Sequence, residues 1–209
     1  MTGAAAELDL WKARSLAGAQ DHANAAVAAA QALPRGIPAP DSAAVVGAGT
    51  MGRGIALALA LSGRPVVMID TDDGRIAVAQ AFLSAWAERE ARKPGRDATA
   101  PGEAVARITY DCDLAAISEA GIVVESVPED MTLKQALFAR IDRHAHSDAI
   151  LASNSSTLDI DRIADATARP ERVIGTHFFI PAQVTGLLEL VPGRLTAPDV
   201  TASAAALAL

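Results

Sequence analysis

Three places in the chain carry residue types and spacings that could do chemistry. The first is Gly47-Ala48-Gly49-Thr50-Met51-Gly52, a glycine loop between an apolar run and a helical stretch. In that setting the first glycine permits a tight turn, the second lets backbone approach a pyrophosphate, and the third lets helix pack on strand. Thr50 and Met51 stand at the helix N-terminus, whose free N–H groups and partial positive charge suit phosphate oxygens. Asp70 closes the next apolar run, 18 residues after Gly52, and can accept hydrogen bonds from an adenosine ribose. Asp72 and Asp73 follow it. Three carboxylates there would repel a 2′-phosphate, which favours NAD over NADP, with Arg75 as the one neighbour arguing otherwise. The bland alternative is a glycine-rich turn that binds no nucleotide.

The second place is His177 with Glu189 twelve residues on. A histidine suits proton transfer because it titrates near neutrality. His177 ends an apolar run, where open α/β sheets place their ligands. His144 and His146 lie in a polar helix end, and His22 lies near the N-terminus. Glu189 sits inside Leu187-Leu188-Glu189-Leu190-Val191, and a carboxylate buried there needs a partner. His177 on a neighbouring strand would serve and would be oriented by it. The two could also be a core histidine and an edge-strand glutamate that never meet. The third place is Ser153-Asn154-Ser155-Ser156-Thr157, whose hydroxyls and amide could bind a polar ligand. Ser156 or Thr157 could equally cap the next helix. No G-x-S-x-G elbow surrounds these serines, which argues against a serine hydrolase.

The elements that must position these groups follow from apolar patterning. Apolar runs at Ala43–Val46, Pro65–Ile69, Ile108–Tyr110, Ile122–Val127, Ala149–Ala152, Val173–Thr176 and Leu187–Val191 read as strands. Helices are expected at Met51–Ser62, Gly74–Arg92, Leu114–Glu119, Thr132–His146, Leu158–Thr167 and Pro198–Leu209, with Lys93–Glu103 a polar loop. Continuous runs such as Ile122-Val123-Val124 suit strands buried on both faces. The alternation predicts an α/β fold: a Rossmann-type, doubly wound, mostly parallel sheet. Before it, residues 7–17 and 21–33 read as alanine-rich helices. The three prolines of Pro34–Pro40 then make a stiff linker. The expected organisation is a helical appendage and linker over 1–40 and a dinucleotide-binding domain over 41–209.

Composition narrows the classes. The net charge of −7 argues against nucleic acid, which needs a basic surface. One cysteine, Cys112, excludes an internal disulfide and disfavours structural zinc, and no metal site is expected. No apolar run approaches the ~20 residues of a membrane span. The start shows no secretory pattern, so a soluble cytoplasmic protein is expected.

Four motifs, in order and at the right spacing, carry a resemblance: Gly-Ala-Gly-Thr-Met-Gly-Arg-Gly-Ile (47–55), Val-Glu-Ser-Val-Pro-Glu-Asp (124–130), Ala-Ser-Asn-Ser-Ser-Thr-Leu (152–158) and Gly-Thr-His-Phe-Phe-Ile-Pro-Ala (175–182). Over residues 42–209 the chain resembles the NAD-binding domain of the 3-hydroxyacyl-CoA dehydrogenase family, in particular the dehydrogenase part of multifunctional β-oxidation enzymes. The resemblance implies oxidation of (S)-3-hydroxyacyl-CoA to 3-oxoacyl-CoA with NAD. It makes His177 the base, Glu189 its dyad partner, and Ser156 the donor to the substrate oxygen. Glu129 and Lys134 would line the nicotinamide and ribose side, with Asn154 also on the cofactor. Ile180 departs from the asparagine many members carry, and an isoleucine cannot replace an amide's hydrogen bonds.

The family continues into a helical C-terminal domain that covers the acyl-CoA and supports dimerisation. That domain is not within these 209 residues, and the chain is expected to stop inside a helix. Fusion to hydratase and C-terminal helical domains, or a homo-oligomer, are the partners this implies, besides the acyl-CoA substrate. Two other readings stay open: a non-catalytic NAD-binding or interaction protein derived from such an enzyme, and a related dehydrogenase of another 3-hydroxy acid or a 6-phosphogluconate-like substrate. The order of the Ser156, His177 and Glu189 motifs argues against the latter.

Overall fold

Short runs of aliphatic residues become strands here because they are buried on both faces. In the computed structural model, which describes residues 34–95 and 97–207, seven strands form one sheet. They are β1 (Ala43–Val46), β2 (Val66–Ile69), β3 (Ile108–Asp111), β4 (Ile122–Glu125), β5 (Ile150–Ser153), β6 (Val173–Phe178) and β7 (Leu188–Pro192). The order is β3-β2-β1-β4-β5-β6-β7. All neighbours are parallel except β6 and β7, which run antiparallel. The helices are α1 (Thr50–Leu61), α2 (Asp73–Ala91), α3 (Ala100–Ala106), α4 (Met131–His144), α5 (Ile160–Ala164), α6 (Ala182–Thr185) and α7 (Pro198–Ala205). This is the doubly wound dinucleotide-binding topology with an antiparallel edge strand added.

Strand alternation divides the core between the two faces of the sheet. Val45, Met68, Val124 and Ala152 pack with Ile55, Leu57, Leu83 and Val200 from α1, α2 and α7. On the other face Val46, Val123 and Leu151 pack with Phe138, Ile141 and Ile163 from α4 and α5. Each such fully buried side chain contributes about 1.5–3 kcal/mol of transfer free energy. Helix α1 is buried almost all round, from Gly52 to Ala60, so it forms the centre of its layer.

The strand expectations hold to within two residues at most ends, and several other elements differ. Lys93–Glu103, expected as a loop, gives way to α3 from Ala100. Pro101 lies in that helix's first turn, where proline's missing N–H costs nothing, and Ala104 is buried. The helix expected over Leu114–Glu119 is a 3₁₀ turn, Leu114–Ile117, capped by Asp113. The helix expected over Leu158–Thr167 is α5, five residues long. The carbonyls of Pro38 and Pro40 accept hydrogen bonds from Ser203 (2.7 Å) and Arg64 (2.9 Å), so these two prolines are tied to the sheet domain. The helices expected over residues 7–17 and 21–33, His22, and the last two residues of the chain lie outside the described residues.

Candidate cofactor and active site

The glycine loop leaves β1 at Gly47, whose φ is +111°. A Cβ there would lie 2.6 Å from the carbonyl oxygen of Ser126, and one at Gly52 would lie 1.8 Å from the carbonyl oxygen of Gly47. Only glycine lets the loop fold back so tightly on α1. Gly49, by contrast, faces open space. The first turn of α1 has no side-chain cap and no acidic residue, and its first intrahelical bond is Arg53 N to Gly49 O at 3.0 Å. The N–H groups of Thr50, Met51 and Gly52 therefore have no intrahelical acceptor, at the positive end of the helix. That cradle suits a pyrophosphate.

Asp70 directly follows β2 and is 8% exposed. Its Oδ2 accepts from Ala48 N at 2.9 Å and its Oδ1 from Asp72 N at 3.1 Å. The carboxylate thus pins the loop to the second strand, a tie that spacing alone does not reveal. Each oxygen keeps a lone pair for a ribose hydroxyl. Asp72 caps α2 through Gly74 N (2.8 Å) and Arg75 N (3.3 Å), and it holds the Arg75 guanidinium at 3.6 Å. Arg75, the residue that could have favoured a 2′-phosphate, is already engaged by a carboxylate.

His177 and Glu189 do meet. They are register partners on β6 and β7, and His177 Nδ1 lies 3.1 Å from Glu189 Oε2. The His177 ring also packs on Phe179, with centroids 4.5 Å apart. The environment differs from expectation: β7 is an exposed edge strand, and the Glu189 side chain is 57% exposed rather than buried. Ile180 is also exposed.

The loop after β5 lies beside them. Asn154 Oδ1 accepts from Phe178 N at 2.9 Å, locking the end of β5 to that of β6. Neither Ser156 nor Thr157 caps α5; Asp159 does, through Asp161 N at 2.9 Å. What organises the loop is Glu129. Its Oε1 accepts from Ser155 Oγ (2.5 Å), Ser156 N (3.1 Å), Thr157 N (3.2 Å) and Thr157 Oγ1 (3.2 Å). Burial pushes the Glu129 carboxyl up, but the Ser155 hydrogen bond, the Lys134 charge and the Thr157 and Ser156 N–H groups outweigh it and hold the group below its ordinary value. Among the described residues the Ser156 hydroxyl makes no hydrogen bond, and the residue is exposed.

Lys134 is 1% exposed, so it lies within the wall rather than on it. Its Nζ sits 2.6 Å from Glu125 Oε1 and 3.4 Å from Glu129 Oε2. Glu125, fully buried at the end of β4, is the residue missed from the sequence. The available signal was a carboxylate closing the apolar run Ile122-Val123-Val124, nine residues before one of only three lysines.

Fold and site together define a dinucleotide-binding α/β domain with a histidine–carboxylate pair that joins the carboxyl end of β6 to the amino end of the antiparallel β7. The sequence profile described as "3-hydroxyacyl-CoA dehydrogenase, NAD binding domain" matches residues 42–209. The peroxisomal bifunctional enzyme of Cavia porcellus is 39% identical over 162 residues, covering 78% of this chain and 22% of that protein. The fatty acid oxidation complex subunit alpha of Acinetobacter baumannii is 36% identical over 172 residues, covering 80% and 23%. The solved (S)-3-hydroxybutyryl-CoA dehydrogenase of Ralstonia eutropha superposes with a TM-score of 0.78 at 34% identity, covering 81% of this chain and 60% of its own. The chain belongs to the 3-hydroxyacyl-CoA dehydrogenase family as its NAD-binding domain, and NAD is that domain's cofactor. It spans under a quarter of the length of these two curated relatives. Among the described residues no helix is long and apolar enough to cross a membrane.

Proposed function

We propose that this chain is the cofactor-binding part of an enzyme that oxidises (S)-3-hydroxyacyl-CoA to 3-oxoacyl-CoA with NAD in fatty-acid β-oxidation. The observation that carries the reading is the His177–Glu189 pair at 3.1 Å, on the same sheet edge as the glycine loop and Asp70. Glu189 accepts the Nδ1 proton of His177, which fixes the tautomer and leaves Nε2 as the basic nitrogen. Nε2 takes the 3-hydroxyl proton as the C3–H bond breaks. Bound NAD supplies the hydride acceptor. The Ser156 hydroxyl donates to the substrate oxygen. Gly47, Gly49, Thr50, Met51 and Gly52 hold the pyrophosphate, Asp70 holds the adenosine ribose, and Asn154 and Glu129 form the nicotinamide side, with Lys134 behind them.

The domain boundary is placed in the Pro34–Pro40 stretch and the location in the cytoplasm; the relatives include peroxisomal enzymes as well as bacterial ones. Relatives named bifunctional support fusion to further domains that receive the acyl-CoA. A second reading, a non-catalytic NAD-binding or interaction protein, draws on the exposure of Glu189, which leaves the dyad wet. The 209-residue chain is accordingly expected to bind NADH but to reduce acetoacetyl-CoA slowly or not at all. The test of the proposal is acetoacetyl-CoA-dependent NADH oxidation by the full-length gene product. His177→Gln is expected to lower kcat by ~100-fold or more with little change in NADH affinity, as for loss of a general base. A near-normal kcat would remove His177 from the mechanism.

A further inference from the structure

Behind the loop that carries Ser156 lies a relay of charges that runs from the buried Glu125 through Lys134 to Glu129. Glu125 Oε1 accepts from Lys134 Nζ (2.6 Å) and Val127 N (2.7 Å), and Oε2 accepts from Ser153 Oγ (2.7 Å). The carboxylate therefore joins the turn after β4, the end of β5 and helix α4. Lys134 Nζ spans from Glu125 to Val127 O (3.4 Å) and Glu129 Oε2 (3.4 Å). Glu129 in turn gathers the four donors of Ser155, Ser156 and Thr157 with its other oxygen. Two carboxylates thus share one buried ammonium. The close partner, Glu125, is fully buried, and the distant one, Glu129, is left with an oxygen free to organise the loop.

We infer that Glu125 is a positioning residue: by holding Lys134 at short range it keeps the ammonium from closing onto Glu129, and so keeps Glu129 on the serine loop. This rests on the reading that Ser156 and Glu129 serve the dehydrogenase site. With Glu125 neutral, Lys134 has a single carboxylate partner in a low-dielectric setting where such attractions are strong. The ammonium moves onto Glu129, draws the carboxylate inward, and the loop loses its acceptor.

The experiment is amide hydrogen exchange on the full chain without cofactor, comparing wild type, Glu125→Gln, and the double variant Glu125→Gln/Lys134→Met. In Glu125→Gln the Ser156 and Thr157 amides are expected to lose ~10-fold or more protection relative to the β1 amides of Ala44 and Val45. The double variant also removes the ammonium, so nothing draws Glu129 inward, and its loop protection relative to β1 is expected to return towards the wild-type value. If Glu125→Gln loosens loop and core equally, or the loop of the double variant stays as unprotected as that of Glu125→Gln, Lys134 does not draw Glu129 away and the inference falls. NADH titration in parallel separates the two levels. Wild type that fails to bind NADH sinks the functional reading, while the exchange ratios still decide the role of Glu125.

Discussion

Replacing Gly52 with alanine perturbs the cofactor cradle at its tightest point. The added Cβ would stand 1.8 Å from the Gly47 carbonyl oxygen and 2.9 Å from its carbon, both backbone atoms that cannot swing aside. Contacts below 3.0 Å are essentially never tolerated by a Cβ, so the loop and the first turn of α1 must separate by about 1 Å. Helix α1 is buried along most of its length, and overpacking of that kind costs about 1–3 kcal/mol. In a domain of this size that lowers Tm by about 2–12 °C. The binding cost is larger. A hydrogen bond to a charged acceptor contributes about 1.5–3 kcal/mol, and a 1 Å displacement removes such bonds. Losing two of those offered by the first turn weakens NADH by about 3–6 kcal/mol, or ~10²–10⁴-fold in Kd. NADH fluorescence titration beside a thermal melt reads both quantities. Wild-type affinity in a folded Gly52→Ala protein would refute the assignment of this turn as the phosphate site.

Two further outcomes follow from protonation. The Glu129 carboxyl lies below its ordinary value of 4.5 in the folded protein, so its contribution to stability is full above about 4.5 and is lost as pH falls through the folded value. Urea midpoints of wild type and Glu129→Gln should differ at neutral pH and converge below about 4.5; a gap independent of pH would contradict this. The Cys112 thiol, on an exposed residue, is pushed up to about 11 by its hydrogen bond to Asp73 and by the charges of Asp73, Asp111 and Asp70. The thiolate is the reactive form, and its scarcity at pH 8 outweighs the greater nucleophilicity of a more basic thiolate, so iodoacetamide alkylation should run about 10-fold slower than for a thiol at the ordinary 9.0, and Asp73→Asn should accelerate it. Fast alkylation of the unmodified chain would count against the Cys112–Asp73 contact.

The chain's patterning foretells the sheet well because a parallel strand buried on both faces must be continuously apolar, as in Ala43–Val46 and Ile122–Val124. Short elements are less legible. The five residues of α5 are held by packing of Ile160 and Ile163 rather than by propensity, and the Pro101-Gly102 pair that reads as a breaker sits at a helix start. At the site, Gly47, Gly52 and Asp70 are readable because each has a backbone requirement of its own. The meeting of His177 with Glu189 depends on an antiparallel register that spacing leaves open, and its exposure depends on β7 being an edge. Glu125 is hidden for a different reason. Its partners Lys134 and Ser153 lie nine and 28 residues away, and a lone carboxylate in an apolar run reveals no partner until the strands are in place.

The central claim is that Gly47–Gly52 and Asp70 form an NAD site whose acidic flank rejects a 2′-phosphate. Parallel fluorescence titrations of the chain with NADH and NADPH test it most directly. The account predicts saturable NADH binding below ~100 μM, in the ordinary range for such enzymes, and NADPH at least ~30-fold weaker, the effect of about 2 kcal/mol of repulsion. No NADH binding at millimolar concentration, or NADPH binding as tightly as NADH, would contradict it.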